Sequence, residues 1–167
     1  PGLGLLMWIK AAYGEESEKI WKGLAPKILT VTKGWSEAYG LFMDGEADLV
    51  LSYTTSPAYH IIAENDLTKK AAIFDEGHYM QIEVAAKIAT TDQTELADKF
   101  LDFMISKKFQ SIIPTTNWMY PVINLDDKLD KAFSPPIPKN KSLFFEPITA
   151  QKIRKQALSE WLKVLSK

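Results

Sequence analysis

Residues 33–60 read KGWSEAYGLFMDGEADLVLSYTTSPAYH, and this stretch decides the fold that the sequence predicts. Aromatic and apolar residues recur at helical spacing from Trp35 to Phe42, and Asp44-Gly45 ends that pattern. Residues 47–51 form an apolar run typical of a buried strand, and a loop rich in hydroxyl groups follows. Open α/β sheets bind their ligands where strands end in such loops. The stretch therefore predicts an α/β protein with a ligand site at the end of this strand.

Composition excludes several classes of protein. The chain of 167 residues is 46% hydrophobic and 25% charged, which is ordinary for a globular domain. A net charge of −1 gives no electrostatic footprint for nucleic acid or an anionic membrane. Cysteine is absent, which excludes disulfides and thiolate metal sites. No apolar run approaches the roughly 20 residues that a transmembrane helix needs.

Residues that catalyse reactions form no recognisable pattern in this sequence. The two histidines, His60 and His78, belong to no H-E-x-x-H motif, and no G-x-S-x-G or phosphate-binding loop occurs. We interpret both histidines as surface or hydrogen-bonded residues. The acidic residues form no obvious pair for acid–base chemistry. The sequence therefore predicts no catalytic, cofactor-binding or metal-ligating residue.

Aromatic residues in loops point to ligand binding instead. Four of them stand beside turn residues or small polar residues at the ends of elements: Trp35, Tyr53, Tyr59 and Trp118. Such residues can form a cage for a flat or cationic ligand, in which each cation–π contact contributes about 0.5 to 2 kcal/mol. Ser36 and Thr54 are candidates for the polar edge of the ligand or for a phosphate group. The alternative for each aromatic residue is a place in the hydrophobic core.

The remaining chain alternates between predicted helices and short strands. The apolar periodicity predicts helices over residues 1–13, 15–23, 35–43, 58–64, 94–105 and 149–165. Strands are predicted at residues 28–31 and 79–86, with a short one after the loop at residues 117–122. Residues 126–141 are predicted to form a surface loop with one helical turn. Trp8, Trp21 and Trp161 fall on amphipathic helices and are expected to pack in or against a core, whereas Tyr120 has no clear place.

Four segments carry a resemblance to a known family. They are KGWSEAYG (33–40), GEADLVLSYTTSPAYH (45–60), EGHYMQIEVAAK (76–87) and IPTTNWMYPV (113–122). The sequence resembles the thiamine-binding periplasmic proteins that serve thiamine ABC importers. The resemblance runs from residue 1 to about residue 108, resumes at residues 114–122, and weakens after about residue 126.

The resemblance implies a fold of the periplasmic-binding-protein type II class, with two lobes joined by hinge strands and the N-terminal part missing. It implies that residues 1–77 and 118–167 belong to the C-terminal lobe and residues 78–117 to the N-terminal lobe. The implied function is capture of thiamine, its monophosphate or its diphosphate in the periplasm, and delivery to a membrane permease. No enzymatic activity and no cofactor are implied. Trp35, Tyr59 and Trp118 are the aromatic residues that the resemblance most strongly assigns to the ligand.

Three alternatives remain open from the sequence. The first is a binding protein of the same fold for iron or a small anion, although iron binders use adjacent tyrosines and Tyr53 is followed by Thr54. The second is an enzyme acting on a thiamine-like compound, and the third is an interaction domain without a cleft. Residues 79–86 would also lack sheet neighbours in an incomplete lobe, so we expect self-association or pairing with a missing segment.

Overall fold

The structure, a computed structural model, describes residues 1–126, 128–133 and 137–165. The predicted lobe segment 118–167 therefore includes residues 127, 134–136 and 166–167, which lie outside the described residues. The helices are α1 (Gly2–Tyr13), α2 (Ser17–Leu24), α3 (Trp35–Met43), α4 (Ser56–Glu64), α5 (Thr94–Met104), α6 (Lys107–Gln110), α7 (Ile113–Thr116) and α8 (Pro147–Leu165). The strands are β1 (His78–Tyr79) and β2 (Ser142–Leu143), and short 3-10 turns lie at Gly14–Glu16, Ala25–Lys27 and Lys139–Lys141.

The chain divides into two compact units. The first comprises Pro1–Ser52, Ile73–Gln81 and the C-terminal region that holds α8. The second comprises Tyr53–Ala72 and the region that runs from Ile82 through α5, α6 and α7. The chain thus leaves the first unit after Ser52, returns for residues 73–81 and leaves again. The lobe boundaries predicted at residues 77/78 and 117/118 stay predictions.

The first unit is built on three helices whose apolar faces meet. Buried residues from α1, α2 and α8 form its hydrophobic core: Leu6, Met7, Ile9, Trp21, Ala157 and Val164. Trp21 is only 2% exposed, and Trp161 packs against the cluster, as predicted for both residues. Leu3, near the start of α1, is 47% exposed and does not join this core. Burial of such side chains supplies about 1.5 to 3 kcal/mol each and holds the three helices together.

A buried polar cluster ties the same three helices. The Nζ of Lys10 donates to Oε1 of Glu160 at 2.9 Å and to the Ser17 hydroxyl at 3.2 Å. The Ser17 hydroxyl in turn donates to Oε2 of Glu160 at 2.7 Å. Lys10 is 7% exposed and Ser17 1% exposed, so each group needs these partners to compensate for its lost hydration. One residue from each helix therefore closes the cluster.

The two strands pair in parallel at a glycine turn. His78 lies opposite Ser142 and Tyr79 opposite Leu143, and the amide of Met80 donates to the Leu143 carbonyl at 2.8 Å. Gly77 precedes β1 with φ of 99°, in the region that favours glycine. A Cβ at this position would lie 2.5 Å from the carbonyl oxygen of Lys141. The close approach of the two backbones therefore requires glycine.

Several strand predictions are wrong in this structure. Of the strand predicted over residues 79–86, only Tyr79 lies in a strand, β1. Among the described residues, no strand forms at residues 28–31, at residues 47–51 or directly after the loop at residues 117–122. Backbone donors and acceptors of a strand need a neighbouring strand, and these segments find none in the part of the chain that is described. Their apolar side chains are consequently exposed, with Leu49 at 78% and Val84 at 87%. Self-association, or pairing with a further segment, stays a prediction.

The helix predictions agree with the structure to within two residues at most ends. The last helix begins at Pro147, before the predicted residue 149. Two short helices that were not among the predicted ones, α6 and α7, lie between α5 and Trp118. The 3-10 turn at Lys139–Lys141 agrees with the helical turn expected in the loop over residues 126–141. No described helix is both long and apolar enough to span a membrane.

Candidate ligand-binding site

In the second unit, two of the predicted aromatic residues are neighbours. Tyr59 lies on α4, which begins just after the hydroxyl-rich loop and carries Pro57 in its first turn. Trp118 follows α7 and lies far from Tyr59 in sequence. Their ring centroids are 5.2 Å apart with an interplanar angle of 77°. This edge-to-face arrangement is favourable for aromatic pairs, and it leaves Tyr59 38% exposed.

The backbone of Trp118 is unusual. Its φ is 55°, a left-handed value that large side chains rarely adopt. The neighbouring part of the loop is held by a hydrogen bond from the side-chain amide (Nδ2) of Asn117 to the Glu83 carboxylate at 3.0 Å. Residues held in such sparsely populated conformations cluster at ligand sites, where the surrounding structure maintains the strain. The conformation therefore marks Trp118 as a functional candidate independently of its aromatic character.

The loop between residue 52 and α4 is internally bonded. The amide of Tyr53 donates to the Ser56 hydroxyl at 3.3 Å, and the amide of Ser56 donates back to the Tyr53 carbonyl at 3.0 Å. Thr55 is 3% exposed, and its hydroxyl lies 3.8 Å from the sulfur of Met119. These contacts fix the start of α4 beside the loop that carries Trp118.

Tyr120, which the sequence could not place, supports the same region. Burial raises the pKa of its phenol, and a hydrogen bond with the Thr54 side chain acts in the opposite direction. The ring of Tyr120 lies 6.1 Å from that of Phe133. Thr54 therefore has a structural partner in the loop, and its predicted contact with the ligand stays a prediction.

A hydrogen-bonded pair, His60 and Glu64, lies next to Tyr59 on α4. Interaction with the Glu64 side chain raises the pKa of the Tyr59 phenol. Nδ1 of His60 lies 2.6 Å from Oε2 of the same carboxylate, and this contact is the largest cause of the lowered pKa of Glu64. His60 is 1% exposed, and its ring lies 5.1 Å from that of Tyr59. The prediction that His60 is a hydrogen-bonded residue is confirmed.

The end of α4 places a third titratable group, Asp66, near His60 and Glu64. Asn65 ends the helix in the left-handed conformation, and the Asp66 amide donates to the His60 carbonyl at 2.9 Å. Ligand atoms of His60, Glu64 and Asp66 all lie within 4.8 Å of one another, a spacing that could hold a metal ion. The Asp66 carboxylate, however, accepts from the Thr68 amide at 2.7 Å and from Lys69 at 3.1 Å, which keeps its pKa well below the usual range. Each of the three side chains is thus bonded within the protein.

His78, the second histidine, lies in the first unit and has a structural role. Its Nε2 accepts the amide hydrogen of Phe74 at 2.9 Å, and its ring lies 5.0 Å from that of Trp8. Burial is the main cause that lowers its pKa, and the positive charge of Lys141 adds to it. Trp8 donates from Nε1 to the Gly77 carbonyl at 2.8 Å. Both side chains therefore hold the turn before β1, as the prediction of a hydrogen-bonded histidine implied.

Of the four predicted aromatic residues, Trp35 lies in the first unit. Trp35 begins α3 after the extended Gly34, and it is 39% exposed. Its Nε1 donates to the Ser52 hydroxyl at 3.1 Å, and its ring lies 4.7 Å from that of Tyr39. Ser36 lies in the first turn of α3 and is exposed. Trp35 is therefore an accessible ring with a fixed orientation, and not a core residue.

The six predicted site residues thus fall into two groups. Tyr53, Thr54, Tyr59 and Trp118 lie in the second unit, where Tyr59 and Trp118 are in contact; Trp35 and Ser36 lie in the first unit. Their contacts with a ligand stay predictions. Sequence reasoning missed Glu64, although its spacing of four residues from His60 is a readable signal for a helical pair.

Comparisons with known proteins agree on one kind of relative. Residues 4–115 match the model of the family described as bacterial extracellular solute-binding protein. The whole chain is 53% identical to the thiamine-binding periplasmic protein of Escherichia coli (strain K12) and covers 50% of that protein. It is 47% identical to the thiamine-binding periplasmic protein of Brucella melitensis biotype 1, again over the whole chain and 50% of the relative.

A solved structure also matches. A periplasmic thiamin binding protein superposes with a TM-score of 0.92 at 53% sequence identity, over 100% of this chain and 52% of that one. The chain therefore spans about half the length of the curated relatives that it matches.

Proposed function

Because the chain belongs to the family of bacterial extracellular solute-binding proteins, we propose that it forms part of a periplasmic protein that captures thiamine. The α/β fold of the periplasmic-binding-protein type II class, predicted from the sequence, is confirmed by the structural match. The relatives are named for binding and not for catalysis, and binding without making or breaking a bond is the function proposed for this protein.

The pair formed by Tyr59 and Trp118 is the observation that carries this proposal. Thiamine has a permanently charged thiazolium ring and a planar aminopyrimidine ring. A cation is attracted to the electron-rich faces of Trp and Tyr, and each such contact is worth about 0.5 to 2 kcal/mol. The two rings meet edge to face at 5.2 Å, so their faces point in different directions. Such a corner fits a ligand that has one charged ring and one flat polar ring.

The other candidates have complementary roles in this proposal. Trp35, oriented by its bond to Ser52, offers a further ring face, and Tyr53 offers another next to α4. Ser36 and Thr54 supply hydroxyl groups for the aminopyrimidine edge or for a phosphate tail. The ligand is thiamine or one of its phosphate esters, the monophosphate or the diphosphate.

Delivery follows capture in this proposal. Closure of two lobes around a bound ligand shifts the population toward a form that a partner recognises. The partner proposed here is the membrane permease of an ABC importer.

The test is a thiamine titration of a protein of the relatives' full length that contains this chain, followed by tryptophan fluorescence. We expect saturable quenching, and we expect the affinity to fall by at least about tenfold in Tyr59→Ala and Trp118→Ala, since each loses ring contacts with the ligand. Phe100→Ala on α5 is the control, because it removes a half-exposed ring outside the candidate site.

Two results would contradict the proposal. One is the absence of thiamine binding by the folded wild-type protein. The other is wild-type affinity in both ring-deletion variants. In either case iron salts and small anions would be titrated next.

A further inference from the structure

The side chain of Ser52 anchors the ring of Trp35. The Ser52 hydroxyl accepts the indole N–H of Trp35 at 3.1 Å, although the two residues are 17 positions apart in the sequence. Both residues lie in the first unit, and Ser52 is half-buried in the segment that follows α3. An indole has one N–H donor, and this bond uses it. The position of Nε1 is therefore fixed by a residue outside the helix that carries the ring.

The backbone at the start of α3 is itself held in place. The Thr32 hydroxyl donates to the Gly34 carbonyl at 2.8 Å, and the Lys33 amide donates to the Glu37 carboxylate at 3.2 Å. Gly34 is extended, and Trp35 begins the helix directly after it. Because these bonds fix the backbone, the freedom that is left to the Trp35 side chain is rotation about its χ1 and χ2 torsions.

Two contacts restrict that rotation. The ring of Tyr39, one helical turn later, lies 4.7 Å from the indole at an interplanar angle of 32°, which places it beside one face of the indole. Ser52 holds the edge that carries Nε1. Packing against Tyr39 allows the indole to turn over, whereas the bond to Ser52 requires Nε1 on one side. Trp35 is still 39% exposed, so part of this oriented ring is accessible to a ligand.

We propose that Ser52 is a positioning residue for ligand binding, whose hydroxyl holds the Trp35 indole in the orientation in which a flat ligand stacks on it. This inference rests on the proposed function, because it assumes that Trp35 contacts the ligand. Ser52 acts through Trp35 and touches no ligand atom. Its role thus differs from that of Ser36 and Thr54, whose hydroxyl groups are proposed to bond to the ligand itself.

The effect of Ser52 on binding is one of preorganisation. A partly exposed side chain without a polar anchor exchanges among rotamers, and the ligand must then order it on binding. Ordering one such side chain weakens the affinity by about twofold to tenfold. In the wild-type protein the indole is ordered before the ligand arrives. The loss of the Ser52 hydroxyl should therefore appear in the affinity for the ligand.

The place of Ser52 in the fold argues against a role in stability alone. The hydrophobic core of the first unit is built on α1, α2 and α8, and neither Ser52 nor Trp35 belongs to it. The bond between them therefore does not hold the core together. What it determines is the direction of a ring that the protein leaves partly exposed.

The first test is made without a ligand, on a protein of the relatives' full length that contains this chain. In ¹H–¹⁵N spectra the indole signal of Trp35 is the one that disappears in Trp35→Phe. We expect Ser52→Ala to shift this signal and to speed its exchange with water, because the N–H loses its acceptor. Ser52→Thr keeps a hydroxyl and should restore the signal. An indole signal that is unchanged in Ser52→Ala overturns the inference.

The second test is a double-mutant cycle on thiamine affinity, measured by calorimetry on wild type, Ser52→Ala, Trp35→Phe and the double variant. We expect Ser52→Ala to bind thiamine about fivefold more weakly. Trp35→Phe keeps an aromatic face but has no N–H donor. In that background the serine substitution should change the affinity by less than about twofold, because the group through which it acts is gone.

Ser159→Ala on α8 is the matched control, since it removes a hydroxyl from an exposed position of the same unit and should leave the affinity unchanged. Thermal unfolding of each variant separates loss of fold from loss of affinity.

Three results overturn this inference and leave the thiamine proposal intact. The first is wild-type affinity in Ser52→Ala. The second is an equal loss in both backgrounds, which would mean that Ser52 contacts the ligand directly. The third is a Ser52→Thr variant that regains the indole signal but not the affinity. Absence of thiamine binding by the folded wild-type protein overturns both proposals.

Discussion

The Nζ of Lys10 lies 2.9 Å from Oε1 of Glu160, and this contact joins the first and last helices of the chain. The hydroxyl of Ser17 on α2 completes the cluster by bonding to both groups. Since Lys10 is only 7% exposed, its charge depends on the carboxylate for compensation. Replacing one partner should therefore cost more than replacing a surface ion pair.

Substitution of Glu160 by glutamine tests this dependence. We expect Glu160→Gln to lower the free energy of unfolding by about 2 to 3 kcal/mol, because the buried Lys10 charge then keeps only the exposed Glu15 carboxylate, 3.9 Å away. Urea unfolding measures the change. Glu16→Gln removes the same charge from an exposed pair with Lys19 at 3.3 Å and should change stability by less than about 0.5 kcal/mol. If Glu160→Gln and Glu16→Gln lowered the free energy of unfolding equally, the buried Lys10 charge would not depend on Glu160 as argued.

The backbone contact at Gly77 leads to a second prediction. Gly77→Ala should destabilise the protein by about 1 to 3 kcal/mol, because φ is 99° and the new Cβ would meet the Lys141 carbonyl oxygen. Gly23→Ala is the matched control, since Gly23 lies within α2 and a Cβ there meets nothing within 4 Å. That substitution should stabilise the protein by about 0.5 to 1 kcal/mol. If urea unfolding showed that Gly77→Ala and Gly23→Ala change the free energy of unfolding in the same direction, the assigned turn would be contradicted.

The burial of His78 predicts a pH dependence of stability. The pKa of folded His78 is lowered from the usual 6.5, so near that pH the unfolded chain binds more protons than the folded one. This contribution to stability is present above pH 6.5 and is lost as the pH falls below it. His78→Gln keeps an acceptor for the Phe74 amide but does not titrate. The Tm should therefore fall more steeply between pH 7.5 and pH 5 for wild type than for the variant. Parallel Tm profiles would rule the linkage out.

The sequence predicted the helices because their signals are local. In α8, Ala157 is buried, and Ile153 and Trp161 pack against the core, as their spacing of four residues indicated. The strands failed because pairing depends on a neighbour that local sequence cannot specify. Val84 is a β-branched residue of the kind that favours strands, yet it is 87% exposed and no described strand covers it. The apolar pattern there indicates that the segment favours burial, but it does not indicate which segment would cover it.

The candidate site was predictable in its residue types and not in its geometry. Tyr59 and Trp118 were candidates because they stand beside turn or small polar residues, and the family resemblance favoured them over a place in the core. Their contact could not be predicted, because it depends on how α4 and the loop after α7 are packed. The left-handed backbone of Trp118 was equally hidden, since nothing in a tryptophan side chain favours φ of 55°.

The left-handed backbone of Trp118 predicts that two substitutions have the same effect on binding but different effects on stability. Trp118→Ala and Trp118→Gly both remove the ring, and both should weaken thiamine binding to a similar extent in the full-length protein. Only glycine adopts φ of 55° without steric cost, so Trp118→Gly should be more stable than Trp118→Ala by about 1 kcal/mol. Urea unfolding of the two variants measures this difference.

Trp35 provides the control for the sign of that difference. It is also a half-exposed aromatic residue, but it lies in the first turn of α3, where glycine is entropically unfavourable. Trp35→Gly should therefore be less stable than Trp35→Ala by about 0.5 to 1 kcal/mol, the opposite order to that at Trp118. The same order at both positions would mean that Trp118 is not held in the left-handed conformation in solution. Opposite orders, with binding lost at Trp118 in both variants, would show that the protein maintains backbone strain at a residue it uses for its ligand.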